Sequence, residues 1–270
     1  CSSDLSAIKP DNPEIVAAHA AGERIVHRSD ILSLLMNTKR AVTVAGAHGK
    51  TTTSSMLAHI LTHAGEGNLA DPSYAIGGSI QGKDGMMLDG GHAGQGDVLV
   101  AEADESDGSF AKYHPEIAIV TNSEADHLDH YGTQENYRAA FVDHVQHAVK
   151  SVVMCGDDEG NLAVLRALDA SAAAHTVVYA TQDEASLGDL NGAAFVHIES
   201  ESESAQSGAE HFTLHVPAGL LDGQERMVPV TFTVPGIHNA RNASAAIIAA
   251  ALLGVDIEKA AEVATSFLGE

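Results

Sequence analysis

Three scarcities restrict what this chain of 270 residues can be. It has two cysteines, Cys1 and Cys155, which offer neither a disulfide framework nor a paired spacing for a metal site. Only 14 lysines and arginines stand against 37 aspartates and glutamates, which argues against a nucleic-acid partner because such a surface needs clustered basic residues. No apolar run reaches the roughly 18 residues of a membrane-spanning helix. We therefore expect a soluble, cytoplasmic, globular protein without a nucleic-acid or membrane partner.

Short apolar segments alternate with helix-length segments over most of the chain. Buried strands are predicted at residues 41–45, 97–101, 117–121, 152–155 and 176–180. Because strands that alternate with helices form parallel sheets, the sequence predicts an α/β fold with a doubly wound, mostly parallel sheet. The glycine-rich residues 65–96 predict loops around one or two short strands.

The pattern changes between about residues 193 and 233. Residues 194–198, 211–216 and 228–234 alternate apolar and polar side chains, which predicts a smaller antiparallel β portion. The acidic residues 199–204 are interpreted as a solvated hairpin loop. An alanine-rich helix is expected from about 239 to 252, and a last helix after Asp256, whose carboxylate can cap it.

The most specific chemistry lies just after the strand predicted at residues 41–45. A glycine-rich turn and the start of a predicted helix contribute Gly46, Ala47, His48, Gly49, Lys50, Thr51 and Thr52. The N–H groups of this turn and helix would face an anion, Lys50 would add positive charge, and Thr51 would face a magnesium ion carried by phosphates. Gly46 and Gly49 lie closer together than in the common G-x-x-x-x-G-K-[ST] pattern. The sequence therefore predicts a phosphate-binding loop (P-loop) of a shortened, variant type.

Polar side chains follow two of the later predicted strands. The first group contains Glu102, Asp104, Glu105 and Asp107, and the second contains Asn122, Glu124, Asp126 and His127. The carboxyl ends of parallel strands line the crevice in which such sheets bind ligands, and carboxylate oxygens suit Mg²⁺. Acidic strand ends are more often solvated loops when they stand alone. The nearby phosphate motif favours the metal-binding interpretation for Glu102. A second metal would explain His127, but a lone histidine is usually a surface residue.

Residues 235–246 predict the start of a helix that carries His238, Asn239 and Asn242. The two asparagines lie three residues apart and share a helix face, where their amides can pair with the edge of a base. The alternative is a capped helix whose small residues pack against the sheet. In a chain with 16 histidines, His130, His144 and His147 are interpreted as surface residues.

Together these segments resemble the Mur ligases, the ATP-dependent, amide-forming enzymes of bacterial cell-wall precursor synthesis. The matching segments, in order, are residues 46–53, 101–107, 124–127 and 238–242. The resemblance implies that Lys50 contacts the phosphates of ATP, that Thr51 and Glu102 hold a first Mg²⁺, and that His127 holds a second. Lys50, Glu102 and His127 would be the catalytic residues. The implied nucleotide-binding residues are Gly46, Ala47, His48, Gly49, Lys50, Thr51, Thr52, Asn122, His238, Asn239 and Asn242.

Phe141 departs from the pattern of several family members. Those members carry a carbamylated lysine on the helix after the histidine motif, and the matching position in this chain is Phe141. The resemblance therefore implies a second metal site without that ligand, which agrees with the family members that add L-alanine.

The resemblance also implies a reaction. The strings at residues 102–107 and 124–127 favour the member that joins L-alanine to the lactoyl carboxylate of UDP-N-acetylmuramate through an acyl phosphate, with both molecules as substrates of the full-length enzyme. One alternative is the sister ligase that attaches a recycled peptide to the same UDP-sugar. The other is a non-catalytic ATP-binding module, against which the retention of Lys50, Thr51, Glu102 and His127 counts.

The expected domain organisation follows from the same resemblance. Residues 1–38 would be the end of a UDP-sugar-binding domain with its linker, and residues 39–270 the central ATP-binding domain. A third, amino-acid-binding domain would begin about where the chain ends. We expect the chain to bind nucleotide without completing ligation alone, and the oligomeric state is not predicted.

Overall fold

The protein is described by a computed structural model that covers residues 8–82, 85–124, 128–205 and 207–269. The strands are β1 (Arg40–Ala45), β2 (Ser73–Ala75), β3 (Ile80–Gln81), β4 (Met87–Leu88), β5 (Gly91–His92), β6 (Val98–Glu102), β7 (Ile117–Val120), β8 (Ser151–Cys155), β9 (Thr176–Ala180), β10 (Ala194–Glu203), β11 (Glu210–Val216) and β12 (Arg226–Phe232). The α-helices are α1 (Pro13–Ala20), α2 (Arg28–Met36), α3 (Lys50–Ala64), α4 (Leu128–Tyr131), α5 (Gln134–Gln146), α6 (Glu159–Ala167), α7 (Ala170–Ala174), α8 (Glu184–Leu187), α9 (Ile237–Leu253) and α10 (Ile257–Ala264). None of the helices in these ranges is both long and apolar enough to cross a membrane.

Ten strands form one sheet in the order β12-β11-β10-β9-β8-β7-β1-β6-β2-β5. From β10 across to β2 the neighbouring strands are parallel, while β11, β12 and β5 pair antiparallel. The predicted α/β fold with a mostly parallel sheet and a smaller antiparallel portion is confirmed. Strand β1 lies between β6 and β7, and the chain builds the sheet outward from it in both directions. The carboxyl end of β1 is therefore a switch point, where such sheets bind ligands.

Helices cover both faces of the sheet because the side chains of β1 alternate between two buried layers. Val42 and Val44 pack in a core with α3, α9 and α10. Ala41 and Ala45 pack in a second core with α2, α5 and α6. Burial on both sides fixes β1, and with it the loop that follows. At the far end of the chain, Asp256 accepts a hydrogen bond from the backbone N–H of Lys259 at 2.9 Å, which confirms the predicted cap of α10.

Two expectations about strands are wrong. Residues 199–203 are part of β10, with a bulge between Glu199 and Ser202, rather than a solvated hairpin loop. The ladder bonds of β10 to β11 use backbone groups, so the acidic side chains do not prevent pairing. The described part of residues 65–96 contains four short strands, of which β2 and β5 join the main sheet. These strands are two or three residues long, too short for a clear alternation pattern.

The interpretation of His144 as a surface residue is also wrong. Its side chain is completely buried, with Nδ1 2.9 Å from the carbonyl oxygen of Phe110 and Nε2 3.2 Å from Oγ1 of Thr43 on β1. Burial lowers the pKa of His144 to about 4. Tyr137 and Phe141 on the same helix are buried too, so the helical spacing of these apolar residues is the signal that places His144 inside. His130 is exposed as expected, and His147 is half-buried.

Candidate nucleotide and metal site

The predicted phosphate loop connects β1 to α3 at the switch point of the sheet. Gly46 and Gly49 have φ values of 138° and 80°, which side chains rarely adopt. A Cβ on Gly46 would lie 2.2 Å from Thr121 Oγ1, and one on Gly49 would lie 2.7 Å from Asn242 Oδ1. Gly49 also has no side chain to cap α3, so the first N–H groups of that helix can donate to an anion. Both glycines are therefore required by conformation and by close neighbours.

The loop is fixed from the next strand by Thr121 and Asn122. The backbone N–H of His48 donates to Asn122 Oδ1 at 3.1 Å, and Asn122 Nδ2 donates to the carbonyl oxygen of His48 at 2.9 Å. Thr121 Oγ1 donates to the same carbonyl at 2.6 Å. Asn122, predicted as a nucleotide ligand, thus holds the loop backbone in this structure. Ala47 lies in the loop and is half-buried.

The Lys50 ammonium lies inside the loop and contacts Glu105. Lys50 Nζ donates to the carbonyl oxygen of Gly46 at 2.6 Å and lies 3.0 Å from each oxygen of the Glu105 carboxylate. Glu105 is completely buried. Burial raises the pKa of its carboxyl, an effect that the positive charge of Lys50 opposes. Glu105 was not predicted as a site residue, because its position in an acidic run does not distinguish it from its neighbours.

Thr51 and Glu102, the predicted ligands of the first Mg²⁺, border the same small space. Glu102 Oε1 accepts a hydrogen bond from the backbone N–H of Gly77 at 2.6 Å. A Cβ on Gly77 would lie 3.3 Å from Glu102 Oε1 and 3.4 Å from Thr51 Oγ1, so the hydroxyl and the carboxylate converge. Both are oxygen donors of the kind Mg²⁺ prefers. The pair therefore fits the predicted ion.

The rest of the predicted metal site is not placed. His127, and Asp126 beside it, lie outside the residues that the structure describes. Within the described ranges, no group of three or more histidines, cysteines, aspartates or glutamates could hold a metal ion. Magnesium sites in phosphate-binding proteins usually take their other ligands from phosphate and water.

A cavity of about 600 Å³ connects the loop to the start of α9. It is lined by His48, Gly49, Thr52, Asn122, Val234, His238, Asn239, Asn242 and Gly269. The cavity thus gathers, from three distant parts of the chain, seven of the residues predicted to bind nucleotide. Its volume is in the range of small-molecule sites, roughly 300–1,000 Å³. Asn239 and Asn242 are both buried and share the face of α9 that borders the cavity, as their spacing predicts.

Two carboxylates hold the N-terminal part of α9. Buried Glu210 accepts a hydrogen bond from the backbone N–H of Gly236 at 2.6 Å. Arg241 Nε donates to Asp157 at 2.7 Å, and Thr181 donates to the same carboxylate. Burial alone would raise the pKa of Asp157, but the Thr181 bonds and the Arg241 charge bring it below its usual value. These supports were not predicted, since no local pattern connects them to α9.

At the switch point of the sheet, a glycine-rich loop joins a strand to a helix. A lysine, a threonine and a carboxylate surround one space there. This arrangement defines a nucleoside-phosphate-binding domain of the P-loop type. Residues 44–250 match the Mur ligase middle domain, and the chain belongs to the Mur ligase family. The family predicted from the sequence is confirmed. The boundary at residues 38 and 39 stays a prediction.

Known proteins resemble the chain over nearly its whole length. It is 81% identical over 264 residues to the UDP-N-acetylmuramate--L-alanine ligase of Bifidobacterium adolescentis, a match that covers 98% of this chain and 51% of that protein. The crystal structure of the UDP-N-acetylmuramate-alanine ligase MurC from Thermotoga maritima aligns with a TM-score of 0.76 at 28% identity, over 97% of this chain and 53% of that one. The chain spans about half the length of the curated relatives it matches.

A ligase for a peptide substrate shares the fold. The UDP-N-acetylmuramate:L-alanyl-gamma-D-glutamyl-meso-diaminopimelate ligase from Neisseria meningitides aligns with a TM-score of 0.73, over 98% of this chain and 77% of that chain. Its sequence identity is 24%. This likeness supports the fold alone.

Proposed function

We propose that this chain is the nucleotide-binding part of an ATP-dependent ligase that joins L-alanine to the lactoyl carboxylate of UDP-N-acetylmuramate, in peptidoglycan precursor synthesis. The observation that carries the proposal is the 81% identity to a ligase named for that reaction. The peptide-adding alternative has the weaker support of a fold at 24% identity. UDP-N-acetylmuramate and L-alanine would be substrates of the whole protein, with residues 1–38 and 39–270 as parts of two of its domains.

The reaction needs an activated carboxylate because a free carboxylate is a poor acyl donor. The γ-phosphoryl group of ATP would move to the lactoyl carboxylate, forming an acyl phosphate and ADP. The amine of L-alanine would then attack the acyl carbon, form the amide and release phosphate. No covalent bond to the protein is involved, so the residues of this chain contribute position and electrostatic stabilisation.

On the phosphate side, the loop N–H groups and Lys50 would hold the phosphates and stabilise the charge that develops during transfer. The Lys50 ammonium is held in the loop by Gly46 and Glu105, which positions its charge beside the space that the phosphates would occupy. Thr51 and Glu102 would hold Mg²⁺. When bound, such an ion neutralises negative charge on the phosphates.

On the base side, Asn239, Asn242 and His238 would bind the adenosine. Asn239 Nδ2 donates to the carbonyl oxygen of Pro235 at 2.8 Å, which leaves its side-chain oxygen able to accept from a base amine. Asn242 lies directly against Gly49. The base side and the loop are therefore in contact and would fix one nucleotide between them.

Calorimetric titration with a non-hydrolysable ATP analogue and Mg²⁺ tests the nucleotide site. The chain should bind the analogue, and Lys50→Ala should weaken binding about 100-fold. The control is Lys259→Ala, because the ammonium of Lys259 contacts Glu66 at the surface. This variant should bind like the unchanged chain. Equal affinity of all three proteins for the analogue would contradict the proposed role of Lys50 and of the loop in nucleotide binding.

A chimera tests ligation. The chain replaces its counterpart in the Bifidobacterium adolescentis ligase, and phosphate release is measured with UDP-N-acetylmuramate and L-alanine. Release that requires both substrates supports the ligase. A folded chimera that binds the ATP analogue but releases no phosphate would favour the non-catalytic module instead.

A further inference from the structure

We propose that Gly77 is a positioning residue for the Thr51–Glu102 pair, and that this position must lack a side chain for Mg²⁺ to bind with the nucleotide. Gly77 lies in the loop between β2 and β3, away from both residues in sequence. Its backbone N–H donates to Glu102 Oε1 at 2.6 Å. The inference rests on the proposed function, since it concerns the metal that would accompany ATP.

Backbone conformation does not explain a glycine at this position. Gly46 and Gly49 have positive φ values, but Gly77 does not, so alanine could adopt its backbone geometry. The nearest atoms to a Cβ on Gly77 would be Glu102 Oε1 at 3.3 Å, Thr51 Oγ1 at 3.4 Å and Glu102 Oε2 at 3.6 Å. A Cβ here would thus be in tight contact with Glu102 Oε1 and in ordinary van der Waals contact with the other two oxygens, beside the space that the ion would occupy.

The contact at Gly77 has two effects on the same carboxylate. The hydrogen bond to Oε1 orients the Glu102 side chain towards Thr51. The absence of a Cβ keeps the space beside the three oxygens open. Mg²⁺ demands near-ideal octahedral geometry and usually keeps several of its waters, so a methyl group in contact with all three oxygens would disturb the ion more than it would disturb the fold.

The experiment compares Gly77→Ala with the unchanged chain by titration of the ATP analogue, once with Mg²⁺ and once with EDTA. We expect Gly77→Ala to weaken binding roughly 10-fold to 100-fold in Mg²⁺, to leave binding in EDTA unchanged, and to unfold thermally near the same temperature. Gly91→Ala is the matched control. Gly91 also lacks a positive φ, and no atom of the described residues lies within 4 Å of a Cβ built there.

A double variant guards against a purely structural effect. Glu102→Gln should reduce the gain in affinity that Mg²⁺ provides, and adding Gly77→Ala to it should cause little further loss, because both changes act on one carboxylate. Equal losses in Mg²⁺ and EDTA, or additive losses in the double variant, would overturn the role of Gly77. So would a Gly77→Ala protein with the full response to Mg²⁺. If the unchanged chain itself fails to bind the analogue, or binds it without any response to Mg²⁺, the proposed function fails and the role of Gly77 fails with it, whereas a chain that responds to Mg²⁺ beside an equally responsive Gly77→Ala protein overturns the role of Gly77 alone.

Discussion

The two ends of the candidate nucleotide site are built differently. At the phosphate end, charged groups border the ligand space directly, and the buried Glu105 contacts the same lysine that would bind phosphate. At the base end, amides and an imidazole line the cavity, while the Arg241–Asp157 ion pair and the Glu210 carboxylate hold α9 from behind. Stability and binding should therefore depend on the same atoms at the phosphate end and on different atoms at the base end.

Lys50→Ala should have the largest effect. It removes the cation at the loop and also the ammonium that contacts both oxygens of buried Glu105. We expect unfolding free energy to fall by about 3 kcal/mol, in addition to the loss of nucleotide binding. Denaturant unfolding and titration measure the two effects separately.

The double variant Lys50→Ala/Glu105→Gln sharpens this result. Removing the carboxylate charge as well should return most of the lost stability, while nucleotide binding stays weak. If stability does not recover, the Lys50–Glu105 contact is not what links binding to folding at the phosphate end.

Acid should lower the free energy of unfolding through buried His144, whose side chain contacts Thr43 on β1. Its pKa is lowered from 6.5 to about 4 in the folded protein, so the unfolded chain takes up the proton first as pH falls. Stability is complete above pH 6.5 and declines between pH 6.5 and about 4, by about 3 kcal/mol for this group. Unfolding measured at pH 7.5 and 4.5 gives the change.

The comparison proteins for this experiment are His144→Phe and His130→Gln. His144→Phe should be less stable at pH 7.5, since the contacts with Thr43 and Phe110 are lost, but its stability should fall less on acidification. His130→Gln, at an exposed position, should follow the unchanged chain. An identical pH response in all three proteins would exclude His144 as the source.

Arg241→Met should have the smallest of these effects. Asp157 keeps its hydrogen bonds from Thr181 and Gln182, so we expect a stability loss of about 1 kcal/mol. Affinity for the ATP analogue should fall about fivefold to tenfold, because the N-terminal part of α9 becomes less well fixed. Titration and denaturant unfolding of the same preparation measure both.

Arg226→Met is the matched control, because Arg226 forms ion pairs at the surface with Asp222 and Glu258. It should leave affinity unchanged. A loss of binding in Arg241→Met as large as in Lys50→Ala would remove the distinction between the two ends.

The sequence predicted the parts of the site that depend on local order. The strand, loop and helix around Lys50 follow from one continuous segment, whereas the pairing of Thr51 with Glu102 was implied by the resemblance to the Mur ligases and depends on the adjacency of β1 and β6. The Asn239 and Asn242 pair follows from helical spacing.

The remaining contacts depend on tertiary packing. Gly77 reaches Glu102 from a loop without a clear pattern, and Glu210 and Asp157 reach α9 from other strands. Residues 199–203 were wrongly interpreted as a loop, because their acidic composition is more typical of solvated loops than of strands. The roles of the site residues in nucleotide and metal binding stay predictions that the experiments above address.

The contact between Gly49 and Asn242 has a consequence for how the site comes into being. The loop is synthesised early and the asparagine late, with most of the sheet between them in the chain. A growing or truncated polypeptide that ends before α9 would contain the phosphate loop but lack Asn242, which contacts the loop at Gly49. Nucleotide can then bind well only to the completed fold, and by mass action it would stabilise the chain as a whole rather than the early segment alone.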